Sequence, residues 1–237
     1  MKKILIRISL ALFVLGGIAL FVAVNYYDII PIEQSVCKAN ESDLQVPMGE
    51  YIDEFRGKSI LEFPSQEYLE KVFTNYPQIE KATVHKTAAG SIKVNYDLKK
   101  PCILVNLDKV YGLTWRGELV PAGAGDYPIV TGLKIRKPIL YYRQPNQSIG
   151  YVLKLAELIY DSGDTVMNKI STINLADDSG LSIFLDGCPA KLILGRGEEA
   201  LKLKKISHLA DFLFALDDDV VAVDMRFDNQ IILRKDN

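Results

Sequence analysis

Histidine, cysteine and tryptophan are scarce in this chain: 237 residues hold two His, three Cys and one Trp. Neither Cys-x-x-Cys nor His-x-x-x-His occurs, so a zinc or dithiol site lacks its usual ligand spacing. Three cysteines, Cys37, Cys102 and Cys188, allow one internal pair at most, and they read as buried free thiols rather than a disulfide framework. Basic clusters are missing as well. The formal net charge is −2, and Lys2, Lys3 and Arg7 are the only charges before Asp28, which leaves 25 basic against 30 acidic residues downstream. A mildly acidic bulk with no basic patch excludes nucleic acid as the partner, because phosphate contacts need clustered Lys and Arg. The sequence also lacks internal repeats, low-complexity stretches and a second long apolar run.

The one long apolar run is Ile8 to Tyr27, twenty residues without a charge. As a helix it would reach about 30 Å, the thickness of a bilayer's hydrocarbon core. Lys2, Lys3 and Arg7 ahead of it predict a cytoplasmic N-terminus, and Tyr26-Tyr27 sit where an aromatic belt is expected. A cleaved signal peptide would have a shorter apolar stretch and a small-x-small site, which this sequence does not offer. The expectation is therefore a tail over 1–7, a single transmembrane helix over 8–27, and everything after Asp28 beyond the plasma (inner) membrane.

Residues 28 to about 46 read as an extended lead-in punctuated by Pro31 and Pro47, followed by a short helix around Met48–Phe55. Ser65 is a candidate N-cap for a helix whose Leu69, Val72, Phe73 and Tyr76 share one face and which Pro77 stops. Ile79 to Lys86 reads as a strand, and Ile92, Val94, Tyr96 and Leu98 alternate with polar residues in a second. Pro101 marks a boundary, which predicts one domain over 28–100 and another over 101–237. Beyond it, short strands are expected at Cys102–Asn106, Trp115–Val120, Ile129–Val130, Ile170–Leu175, Leu181–Leu185 and Lys191–Leu194. Helices are expected around Ile149–Tyr160 and from Glu198 to Leu216, and a closing hairpin at Val220–Phe227 and Gln230–Arg234.

No constellation for catalysis assembles from these pieces. Gly57-Lys58-Ser59 resembles the end of a phosphate loop, but the first glycine of that motif should stand where Ile52 does. His85 and His208 have no partner at ligand spacing. Asp217-Asp218-Asp219 lacks the glycine and closing Glu of a calcium loop, and Asp177-Asp178-Ser179-Gly180 reads as a turn. No Gly-x-Ser-x-Gly elbow exists. The reading is of a protein that is not an enzyme, with no metal, no cofactor and no small-molecule substrate.

Several segments, taken in order, resemble the FtsQ/DivIB family of bacterial division proteins. Asn75-Tyr76-Pro77-Gln78-Ile79-Glu80-Lys81-Ala82-Thr83-Val84 is similar to that family's helix end and strand start. Lys99-Lys100-Pro101 resembles the charged-then-Pro close of its POTRA unit. Trp115-Arg116-Gly117-Glu118-Leu119-Val120-Pro121, Tyr127-Pro128-Ile129-Val130-Thr131-Gly132, Leu185-Asp186-Gly187, Leu194-Gly195-Arg196 and Val223-Asp224-Met225-Arg226-Phe227 resemble its later motifs. Thr114 stands near where the family has an acid. The resemblance implies an α+β fold: an N-terminal transmembrane helix, a small POTRA-like domain, then a larger antiparallel-sheet β domain with two amphipathic helices. It implies a non-catalytic, single-pass scaffold at the division septum that regulates septal peptidoglycan synthesis by binding the division proteins FtsB and FtsL. Two competing readings are a POTRA-bearing translocation or outer-membrane assembly component, which would carry repeated units or a barrel, and an anchored extracytoplasmic hydrolase.

A terminal hairpin leaves an unpaired edge, and such an edge is a template for an added strand. The expected partner-binding residues are Arg226, Phe227, Gln230, Ile231, Ile232, Leu233 and Arg234, with Ile231 and Leu233 on one face and Ile232 and Arg234 on the other. A proline at Ile232 is expected to block pairing there.

Overall fold

Ser91–Leu98, the clearest alternation in the sequence, forms strand β3 and buries Ile92, Val94 and Tyr96 on one face. It lies between β1 (Gln34–Ala39), to which it runs parallel, and β2 (Ile79–Lys86), to which it runs antiparallel. The computed structural model describes residues 12–22, 32, 34–39, 49–135, 137–177, 180–227 and 230–236, with 34–39, 176 and 177 described by backbone alone. The chain divides into two units, Met1–Lys99 and Lys100–Asn237.

In the first unit, residues 12–22 form helix α1, and all eleven are exposed. No helix among the described residues is long and apolar enough to cross a membrane. The remainder of the expected span, 8–11 and 23–27, and the tail 1–7 lie outside the described residues. Helices α2 (Gly49–Asp53) and α3 (Ser65–Asn75) contribute Ile52, Tyr68 and Val72 to the core that the three-stranded sheet backs. Tyr51, Phe55, Phe63 and Tyr68 pack ring against ring at 5.4–6.5 Å between centroids. Ser65 does not cap α3: it is the first helical residue and its N–H donates to the Phe63 carbonyl. Gly57-Lys58-Ser59 is a structural turn, in which Gly57 at φ 81° donates to Ile32 and Ser59 is buried.

The second unit is a nine-stranded sheet with helices. Its strands are β4 (Ile103–Asn106), β5 (Val110–Leu113), β6 (Leu119–Pro121), β7 (Ile129–Thr131), β8 (Ile170–Asp177), β9 (Gly180–Leu185), β10 (Lys191–Gly195), β11 (Val220–Asp224) and β12 (Ile232–Lys235). They run in the order β12-β11-β10-β9-β8-β7-β4-β5-β6. Helix α4 (Gln147–Asp161) starts on an Asn146 cap whose side-chain oxygen accepts from Ser148 N–H at 2.8 Å. It lays Ile149, Val152, Leu155, Ala156 and Ile159 into the core, where each large apolar side chain contributes about 2 kcal/mol. Helices α5 (Glu199–His208) and α6 (Ala210–Phe214) add Leu203, Ile206 and Leu213 to the same core.

The expectation of an antiparallel sheet is corrected by this topology. The pairs β4–β7, β7–β8 and β10–β11 are parallel. The reason lies in the connections: α4 intervenes between β7 and β8, and α5 with α6 between β10 and β11. A chain that leaves one end of a sheet through a helix re-enters at the other and pairs parallel with the strand it left. The single helix expected over Glu198–Leu216 is also two, broken at Leu209, whose φ of −102° and ψ of 8° depart from the helical well.

Candidate functional site

Strand β11 is set by its apolar side: Val220, Val223 and Met225 enter the core, while Asp224 points to the opposite face yet is only 1% exposed. Two arginines account for that carboxylate. Arg226 meets Asp224 through two nitrogens at 2.8 and 2.6 Å, and Arg234 reaches it from β12 at 3.2 Å. The Arg226 hydrogen bond, opposed by desolvation, holds the Asp224 carboxyl below the usual carboxylate range. A second clasp closes the hairpin's far end: Lys235 Nζ lies 2.8 Å from Asp219, and Asp236 N–H donates to the Asp219 carbonyl.

Those main-chain bonds fix which side of β12 is free. Met225 N–H donates to Ile193 on β10, so Val223 also turns its amide toward β10 while Ala222 and Asp224 turn theirs toward β12. Opposite them stand Arg234 and Ile232, whose amides face β11, in keeping with the inward Asp236 amide. Leu233 and Lys235 therefore direct their N–H and C=O groups away from the sheet. Ile232 donates inward, so a proline there would cut the protein's own ladder; Leu233 is the position where a proline blocks the outer side alone.

The expected partner-binding residues divide in three. Ile232, Leu233 and Arg234 lie in β12, every residue of which is exposed. Gln230 and Ile231 precede it, and Ile231 packs partly against the core. Arg226 and Phe227 follow β11, where the Phe227 carbonyl accepts from Lys205 Nζ of α5 at 2.9 Å and the Arg226 guanidinium lies 5.9 Å from the Phe227 ring centre. The expected strand Val220–Phe227 thus ends at Asp224, and residues 228–229 lie outside the described residues. Sequence reading missed α5 as the second wall. A groove of about 520 Å³ runs between Leu201, Lys204, Lys205, His208 and Leu209 of that segment and Gln230-Ile231. Leu201 is 65% exposed beside it, and Phe227, Ile232 and Leu233 are 42, 41 and 40% exposed. An apolar strip beside a bare ladder and framed by lysines suits an extended segment with alternating apolar residues.

No family model matches the chain. It is similar to the cell division protein FtsQ of Geotalea daltonii, at 22% identity over 166 residues. The aligned part covers 67% of this chain and 59% of that protein, so the chain spans less than two thirds of the relative's length.

The opposite margin of the sheet is built differently. Beyond β6, Leu119 bridges to Leu140 and Glu118 to Arg143. Tyr141 N–H donates to the Leu119 carbonyl at 2.6 Å and Gln144 N–H to Gly117 at 3.0 Å. Gln144, itself buried, ties that segment down by donating to the carbonyls of Ile139 and Tyr142.

The remaining chemical candidates are scattered. His85 is exposed on β2 of the first unit and His208 is exposed on α5 of the second. Cys102 is buried, donates to the Leu113 carbonyl, and has its thiol pushed up to about 12 by desolvation. Such a thiol stays protonated and unreactive at neutral pH. Cys188 is a partly buried free thiol, and the side chain of Cys37 lies outside the described residues.

Proposed function

We propose that this chain is a non-catalytic scaffold of the bacterial division machinery, held in the plasma membrane by one helix near its N-terminus, that binds a partner by strand addition at β12. The similarity to a cell division protein supports the division role, and the FtsQ/DivIB-like motif order supports a POTRA-like first unit and the division proteins FtsB and FtsL as partners at the septum. The observation that carries the docking mode is the bareness of β12. Its Leu233 and Lys235 ladder groups face outward with no strand upon them among the described residues, whereas the β6 margin is covered by residues 139–144. Main-chain bonds to Leu233 and Lys235 would supply affinity, and the groove under Leu201 and Ile231 would select the apolar side chains of the added strand.

The test is a proline variant in the full chain. Leu233→Pro is expected to weaken capture of an FtsB–FtsL pair by roughly tenfold or more while leaving the thermal transition close to wild type. A folded Leu233→Pro variant that captures the pair as well as wild type would remove strand addition from consideration.

A further inference from the structure

Helices α4 and α5 pack against each other, and near their starts Tyr151 donates its hydroxyl to Glu199 at 3.0 Å. Toward their C-terminal ends a cavity of about 550 Å³ lies between them, within the usual range for small-ligand sites. Its floor is apolar: Met167 and Leu203 are buried there, and Leu158 packs partly against the core. Its ionisable lining residues have both signs. Asp161 and Asp164 come from the end of α4 and the turn after it, and Lys204 and His208 come from α5.

The two carboxylates are prepared differently. Asp164 is fixed: it accepts from Val166 N–H at 2.9 Å and from the Ser207 hydroxyl, which ties the turn to α5. The Ser207 bond, the Val166 amide and the neighbouring His208 hold its carboxyl below the usual carboxylate range, so it is an anion at neutral pH. Asp161 is exposed on the same side of the cavity, and Lys204 is exposed on the α5 side. Among the described residues neither of these two has a hydrogen bond or an ion pair. An unneutralised acid and an unneutralised base thus line one cavity, over a floor with no polar group to offer.

That lining restricts the ligand. A molecule with one charge leaves the opposite wall unmatched, and a purely apolar one uses neither wall. A compact zwitterion such as phosphoethanolamine meets both walls but leaves the apolar floor bare. A small peptide with free ends has an ammonium, a carboxylate and apolar side chains between them.

We propose that this cavity binds a short apolar peptide as its zwitterion, with the ammonium on Asp161 and Asp164, the carboxylate on Lys204 and His208, and the side chains over Leu158, Met167 and Leu203. Lys204 and His208 also line the groove beside β12, whereas Asp161, Asp164 and Met167 line this cavity and not that groove. The site goes beyond the strand-addition reading and does not depend on it.

Met167 is the reporter, one of four methionines in the chain. With methionine methyls labelled in the full chain, held in a nanodisc, the dipeptide Leu-Leu is titrated and the Met167 methyl resonance followed. Leu-Leu is expected to shift it saturably, with affinity falling as salt rises above about 0.15 M. N-acetyl-Leu-Leu and Leu-Leu-amide are each expected to bind roughly fivefold or more weaker, and glycerophosphoethanolamine to leave the resonance in place. Asp161→Asn is expected to cut the penalty for acetylation by about half or more while leaving that for the amide, and Lys204→Gln to do the reverse. Blocked and free peptides binding equally, or the two variants acting alike on both penalties, would overturn the proposal. So would a Met167 response to glycerophosphoethanolamine with none to Leu-Leu, or no saturable response to any of them.

Discussion

At the β6 margin the chain folds back on its own sheet: residues 139–144 bridge to Glu118 and Leu119, and a buried glutamine pins them there. At the β12 margin four exposed residues end the sheet, fastened inward by Arg234 on Asp224 and Lys235 on Asp219. Edge strands that stay monomeric are usually short, charged or covered. One margin uses the cover, while the other is short and carries Arg and Lys but keeps apolar side chains on both faces. Among the described residues, the sheet is thus covered by its own chain at one margin and left uncovered at the other.

The comparison can be broken or sharpened by mutation. Leu119, fully buried at the closed margin, is expected to cost about 3 kcal/mol of unfolding free energy when cut to Ala, read from the denaturant midpoint. Asp224→Ala is expected to cost about 2 kcal/mol, because it removes the carboxylate that both Arg226 and Arg234 hold. That cost has a pH signature. The folded carboxyl titrates below its unfolded value, so its contribution is full above the unfolded pKa of about 4 and fades as pH falls through the folded one. Wild type and Asp224→Asn should therefore converge in stability as pH falls below the unfolded value; a gap that stays constant as pH falls would show that the ion pairs are not its source. Leu233→Pro is expected to cost less than about 1 kcal/mol, since its amide makes no bond within the sheet. The smallest effect is the most local: amides of Leu233 and Lys235 should exchange with solvent about tenfold faster than those of Ile232 and Arg234. Equal protection along β12 would mean its outer side is already engaged.

How far the sequence disclosed this depends on the element. The hairpin β2–β3 and helices α3 and α4 were legible because each has one wet and one dry face, and the period of that alternation names the element. Strand β1 was hidden in an apparent lead-in, since what makes it a strand is its parallel neighbour β3 rather than any alternation of its own. Strand β5 was missed for a related reason. Its Tyr111, Gly112 and Leu113 are all buried, so the period vanishes, and Gly112 looks like a break. In fact a Cβ there would stand 2.7 Å from Pro101 and 2.8 Å from Val120, so glycine is the residue that lets the strands close up. At the C-terminal edge, the alternation of Ile231 to Arg234 was readable. The contribution of α5 was not, because Leu201 and Lys205 meet Phe227, Gln230 and Ile231 only through the fold.

The order of strands has a consequence for how the second unit is made. Strand β4 finds one neighbour at once in β5, but its other, β7, lies 23 residues further along, and β7 gains β8 only after the whole of α4. Strand β10 similarly waits for α5 and α6 before β11 arrives. The sheet cannot be zipped in chain order, and its most apolar strands are half-paired until distant ones return. Such long-range closure places folding in the range of milliseconds to seconds, about where sandwiches and barrels fall, and leaves a window in which a holding chaperone is useful.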